Sequence, residues 1–347
     1  MTTLVLLAFD EALAAAGNPK KKHLMLGNGF SISLRPDIFT YGSLLESADF
    51  SKAPNARTLF DQLGTQDFEL VIKHLIDAAA VARVYLPGSV DLIRALEHDA
   101  AVVKDALVTA VARRHPDRPY DITTAQYRAC REFLNRFDHI YTLNYDVLLY
   151  WALMHTDVDM LGLTSDDGFR HPDDARQPYV SWLQSQSATI HYLHGALHLF
   201  DSGPEIIKYT WSKTDIPIVD QIRAALDEGN YPLFVAEGTS SSKLEKIMHN
   251  AYLHKALRSL ESCANQTASA FVIFGHSLAA NDEHILRAFA RGRVGTLLVS
   301  IYGDPKSALN QEIMGNALWL RKQREEINPK NPLNVIFFEA SSAHVWE

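Results

Sequence analysis

The chain of 347 residues has only two cysteines, Cys130 and Cys263, far apart in sequence. Two thiols cannot complete a four-cysteine zinc site, and they do not form the disulfide framework of a small secreted domain. No apolar run approaches the ~18 residues needed to cross a bilayer. The N-terminal run Leu4-Val5-Leu6-Leu7-Ala8-Phe9 is short, follows no basic residue and leads into Asp10-Glu11. It predicts the start of an amphipathic helix rather than a signal peptide. The expectation is a soluble, cytoplasmic protein with no membrane contact. Basic charge is also scarce: Lys and Arg number 33 against 41 Asp and Glu, a formal net charge of −8. General nucleic-acid binders displace counterions with a surplus of cations, so no direct nucleic-acid binding is expected. There is no fixed-period repeat, which argues against a solenoid. A Gly-x-Ser-x-Gly nucleophile elbow and a Gly-x-x-x-x-Gly-Lys-Ser/Thr phosphate loop are both missing, which weakens serine-hydrolase and P-loop readings.

What is present is a globular composition, 47% hydrophobic and 21% charged, which supplies a sizeable core. The length suits two domains, or one large α/β domain with an insertion. Short apolar runs alternate with longer amphipathic stretches, the pattern of a layered α/β fold. Strands are predicted at 23–26, 139–143, 189–193, 233–236, 271–274, 296–302 and 334–338. A hairpin is predicted over 197–211, around Ser202-Gly203-Pro204. A helix is predicted over 215–227. Residues 155–188, rich in Asp, Gly and Pro, read as an irregular excursion. The strand-like runs are apolar without alternation, as expected for parallel strands buried on both faces. The reading is one doubly wound, mainly parallel sheet, with a helical block at 40–136 inserted after the first strand.

Parallel sheets place sites at the carboxyl ends of their strands. Those ends read Gly27-Asn28-Gly29-Phe30-Ser31, Asn144-Tyr145-Asp146, His194-Gly195, Glu237-Gly238-Thr239-Ser240, Gly275-His276-Ser277-Leu278 and Gly303-Asp304. Recurrent glycine and small hydroxyl residues suit a nucleotide site, where backbone amides approach phosphates. Each also has a purely structural reading. Gly27 and Gly29 suit a tight turn, and with Ile32 following they do not extend into the full dinucleotide fingerprint. Asn144 is a favoured helix N-cap residue, as are Ser240, Ser241 and Asp282. His194 taken alone reads as a buried, satisfied histidine. His191 and His194 would face opposite sides of a strand, so a metal shared by His191, His194 and His198 is not expected.

Taken in order, these segments resemble the sirtuins. Gly27-Asn28-Gly29-Phe30-Ser31 is similar to the sirtuin Gly-Ala-Gly-Ile-Ser loop, with Asn28 in place of alanine. Arg35-Pro36-Asp37-Ile38-Phe39 faintly resembles the Pro-Asp-Phe-Arg that follows that loop. Thr142-Leu143-Asn144-Tyr145-Asp146 is similar to Thr-Gln-Asn-Ile-Asp, Leu193-His194-Gly195 to the catalytic His-Gly, and Gly275-His276-Ser277-Leu278 to Gly-Thr-Ser-Leu. The matches span most of the chain. The missing four-cysteine zinc module and the large helical block look more like the bacterial sirtuin-like proteins of antiphage defence. Glu237-Gly238-Thr239-Ser240 with Lys243, and Gly275-His276-Ser277-Leu278 with Asp282, resemble a bacterial branch of that group.

This resemblance implies a single Rossmann-like, sirtuin-like domain over 1–347 that cleaves NAD to nicotinamide and ADP-ribose in antiphage defence, with no metal. It implies that Asn144 holds the ribose hydroxyls and the attacking water, that Asp146 binds the nicotinamide carboxamide, and that His194 is the general base. Gly27, Gly29 and Ser31 would meet the pyrophosphate through backbone amides, Gly275 and Ser277 would line the cofactor trough, and Asp304 would reach the adenosine ribose. Asn28, Phe30, Gly238, Thr239, Ser240 and His276 complete the NAD-binding set. The alternatives are a zinc-free NAD-dependent protein deacylase and a non-catalytic NAD or ADP-ribose sensor. Expected partners are NAD, further copies of the chain as a homo-oligomer, and a separately encoded ATPase or defence partner that restrains NAD loss before infection.

Overall fold

The computed structural model of the chain describes residues 6–163, 165–172, 176–184 and 187–347. Leu4 and Val5 of the N-terminal run lie outside the described residues, as do 164, 173–175 and 185–186 of the excursion. Ten strands are described in chain order: β1 (Lys21–Leu26), β2 (His139–Thr142), β3 (Phe169–Arg170), β4 (Tyr179–Trp182), β5 (Ile190–Tyr192), β6 (Leu199–Asp201), β7 (Ile206–Tyr209), β8 (Ser269–Phe274), β9 (Thr296–Ile301) and β10 (Asn334–Glu339). Six of them form a sheet of order β10-β9-β8-β1-β2-β5 in which every neighbouring pair is parallel. All residues of β8 and β9 are buried, which is why these runs are apolar without alternation. Helices flank the sheet, Ala251–Ala264 and Ala308–Ile327 among them, in a Rossmann-like arrangement.

The strand order fixes where a site belongs. The chain leaves β1, builds β2 and β5 on one side, and returns to β8 on the other side of β1. The winding therefore reverses between β1 and β8. The crevice beyond their carboxyl ends is the place where open α/β sheets bind ligands. Between β1 and β2 the described chain is helical, its longest elements being Phe68–Tyr85 and Val90–Arg114, packed as a hairpin. Asp67 caps the first of these: its Oδ1 accepts the backbone N–H groups of Glu69 (2.9 Å) and Leu70 (3.2 Å). That cap anchors Glu69 in the first turn of the helix.

Three expectations are corrected. The sheet is not single: β3 and β4, from the excursion, join the hairpin β6–β7 in an antiparallel sheet of order β3-β4-β7-β6. Residues 233–236 make only an isolated antiparallel bridge, Gly195 to Phe234. Their backbone groups pair with the loop after β5 and with β6: Val235 N–H donates to His194 O (2.9 Å), Leu233 O accepts from Ala196 N–H (3.0 Å), and Leu233 N–H donates to Leu199 O (2.6 Å). Among the described residues of the N-terminal run, 6–9, the helix begins at Phe9, because Leu7 bridges in parallel to Phe338 of β10 and extends the sheet edge.

Neighbouring strands β1, β2 and β5 carry His23, His139 and His191 near their amino ends, with adjacent ring centroids 5.4 and 6.0 Å apart. Burial lowers all three, His23 to about 4 and His191 to about 3. These imidazoles stay neutral in the folded chain, while in the unfolded chain they protonate near 6.5. Their neutral form costs nothing above that pH, and stability falls as the pH drops from 6.5 toward 4. The shift of His23 corresponds to about 3 kcal/mol over that window. Urea unfolding at pH 7 and pH 4.5 should therefore show a marked loss of stability in acid, and His23→Leu should make that loss smaller. An equal loss in both proteins would contradict the assignment.

Candidate functional site

A cavity of about 810 Å³ opens at the switch point between β1 and β8. It is lined by Gly27, Asn28, Gly29, Asn144, Asp146, His194, Gly275, His276 and Ser277, so four of the sequence segments converge on one space. The glycines account for the floor. A Cβ on Gly29 would lie 2.5 Å from the Cα of Gly275, and one on Gly27 would lie 2.6 Å from Gly275 O. Gly275 itself has φ +69°, the left-handed region that favours glycine. The two loops are locked by Gly29 N–H donating to Gly275 O (2.8 Å). Close packing of loop on loop accounts for these glycines, and the Gly27, Gly29 and Ser31 amides expected at a pyrophosphate instead donate to Phe274 O, Gly275 O and Asn28 O.

Asn144 does not cap a helix. The helix Leu148–Met154 starts after Val147, and Asn144 Nδ2 donates to Ser31 Oγ (2.9 Å). The Asn144 Oδ1 has no hydrogen-bond partner among the described residues, which leaves it as an acceptor beside the cavity. Ser31 Oγ in turn donates to Asp146 Oδ2 (2.5 Å), and Asp146 Oδ1 accepts from Leu148 N–H (2.9 Å). Burial raises the Asp146 carboxyl, and the Ser31 and Leu148 hydrogen bonds oppose that rise. Ser31 is fully buried beneath the lining, where it braces Asn144 and Asp146.

His194 sits in a buried polar cluster. Its Nε2 lies 3.0 Å from His284 Nε2 and 3.8 Å from Asp282 Oδ1. Its Nδ1 has no partner among the described residues. Burial drives the His194 imidazole well below 6.5, with Asp282 opposing that shift, so the ring is neutral at pH 7. Asp282 does not cap the helix Glu283–Arg291 with its side chain. Its Oδ1 accepts from Lys243 Nζ (2.8 Å) and its Oδ2 lies 3.0 Å from His276 Nε2. Burial pushes the Asp282 carboxyl up, but the His276 hydrogen bond and the Lys243 charge outweigh burial and hold it far below the usual range. Lys243, entirely buried, also donates to Glu69 Oε2 (2.6 Å). Glu69 Oε2 receives a further hydrogen bond from Asn281 Nδ2 (2.7 Å). Burial raises the Glu69 carboxyl against the pull of Lys243.

His194, Asp282 and His284 bring ligand atoms within 4.8 Å of one another, a spacing that a cation can use. The Lys243 ammonium already rests on Asp282 Oδ1 and supplies positive charge there. His191 and His198, the nearby histidines of the same stretch of sequence, stand apart from His194: His191 pairs with Ser259, and His198 packs between Tyr150 and Tyr192.

Other expected residues lie off the cavity. Phe30 is buried, its carbonyl accepting from Trp346 Nε1 (2.9 Å). Gly238 faces the helix Phe68–Tyr85, where a Cβ would come within 2.4 Å of Lys73 N. Thr239, not Ser240, caps the helix Ser240–His249. Ser240 Oγ instead accepts from His284 N–H (2.7 Å) and lies 3.2 Å from His284 Nδ1. Asp304 is exposed, because Gly303, at φ +73°, turns the chain away after β9; Tyr302 and Asn310 line the cavity in its place. Residues the sequence reading missed are Tyr41 and Glu69, both cavity-lining and both from the helical block. No local motif marks either one.

A comparison with curated proteins finds no match. The model of the family described as "Domain of unknown function (DUF4917)" matches residues 24–346, and the chain belongs to that family.

Proposed function

We propose that this protein is an NAD glycohydrolase, cleaving NAD to nicotinamide and ADP-ribose. The observation that carries the reading is the convergence of Gly27–Gly29, Asn144, His194 and Gly275–Ser277 on one cavity, the segments in which the chain resembles the sirtuins. A volume of about 810 Å³ falls in the range of ligand pockets.

Cleavage of the nicotinamide–ribose bond passes through oxocarbenium character at the ribose, and the pyridinium leaves as neutral nicotinamide. The Asn144 Oδ1, free because Ser31 holds the amide on its other side, accepts from a ribose hydroxyl or from the attacking water. His194 is neutral at pH 7 and takes the proton that water gives up. Asp146 orients the carboxamide through lone pairs not used by Ser31 and Leu148.

The test is incubation of the purified protein with NAD, followed by chromatography. Equal amounts of nicotinamide and ADP-ribose are expected from the wild type, and almost none from Asn144→Ala of unchanged circular dichroism. Tight NAD binding with no release from the wild type contradicts the reading.

A further inference from the structure

We propose that His284 is a positioning residue for His194: the proton on His194 Nε2 is shared with His284 Nε2, leaving Nδ1 as the base toward the cavity. The proposal rests on the NAD-cleavage reading above.

The geometry sets the direction of the hydrogen bond. The two Nε2 atoms are 3.0 Å apart, so one ring donates and the other accepts. Asp282 Oδ1, 3.8 Å from His194 Nε2, favours the proton on that nitrogen. His284 then accepts at Nε2 and carries its own proton on Nδ1, 3.2 Å from Ser240 Oγ. The same Oγ also accepts the His284 backbone N–H (2.7 Å), which ties Ser240 to the partner residue at two points. The rings lie nearly parallel, at 17°.

In the reaction, water attacks the ribose carbon as the bond to nicotinamide breaks. The proton released goes to His194 Nδ1, and the resulting imidazolium keeps its Nε2–H on the His284 acceptor. The positive charge is thus spread toward His284 and faces Asp282. Also facing this pair are His276 on Asp282, Lys243 on Asp282 and Glu69, and Arg287 on the helix that carries His284.

The test compares His284→Phe, which removes the acceptor, with His284→Gln, which keeps one. His284→Phe should lower kcat at least about tenfold, short of the ~10²–10⁴ expected for losing a base outright. KM should stay unchanged, and the acid limb of the kcat profile should move to lower pH, since a base without its acceptor is weaker. His284→Gln should restore part of both effects. Equal impairment of both variants with an unmoved acid limb would overturn the proposal, because that is the result of a merely structural role. A second readout does not depend on turnover. In the ¹⁵N-histidine spectrum of the wild type, His194 should be protonated on Nε2 and bare on Nδ1. The reverse tautomer overturns the proposal whatever the activity, whereas the predicted tautomer with no NAD cleavage indicts the glycohydrolase reading instead.

Discussion

Replacing His194 by alanine should reduce nicotinamide release from NAD by about 10²–10⁴-fold, the usual contribution of a positioned general base. Affinity for NAD should change little. The ring is buried, neutral and carries an unpartnered Nδ1 at the cavity, so its removal takes away a proton acceptor while the glycine loops and Asn144 remain. Fold should survive, because Gly195 and the bridge to Phe234 are set by the backbone. Stopped-time chromatography gives the rate, and calorimetric titration of the variant gives the affinity. A rate within a fewfold of wild type would remove His194 from the chemistry. Loss of NAD affinity equal to the loss of rate would make it a binding group.

The second large effect is on stability. Lys243→Met should strand Glu69 and Asp282 without their shared cation. Breaking a buried ion pair by removing one partner costs about 3–5 kcal/mol, since the remaining charge is left uncompensated. For a chain of this length that corresponds to a fall of about 5 °C in the thermal midpoint. Lys243 is entirely buried, with Nζ 2.6 Å from Glu69 Oε2 and 2.8 Å from Asp282 Oδ1, so solvent does not screen the loss. Adding Glu69→Gln to the variant should recover part of the midpoint. A midpoint unchanged by Lys243→Met would mean that the triad adds nothing to the fold.

The convergence at the cavity was legible for a simple reason. Parallel strands all end on the same edge, so residues just past β1, β2, β5 and β8 must approach one another once the runs are recognised as buried strands. Gly27, Asn144, His194 and Gly275 follow from that logic. Glu69 and Tyr41 do not, because they reach the cavity through the packing of the helical block, which no spacing rule encodes. The partnership of His194 with His284 was equally hidden, since it joins positions 90 residues apart. Residues 233–236 misled because a short apolar run has the same composition whether it joins a sheet or, as here, lines the loop after β5. The hairpin β6–β7 was legible around Ser202-Gly203-Pro204, but its extension into a four-stranded sheet was not, because β3 and β4, two and four residues long, are set among Asp, Gly and Pro.

Hydrogen–deuterium exchange of the His194→Ala protein with saturating NAD tests most directly whether the switch-point cavity holds the nucleotide. Slowed exchange at 26–31, 143–147 and 275–281 is the predicted result. Full occupancy by NAD with protection confined to other segments would contradict the account.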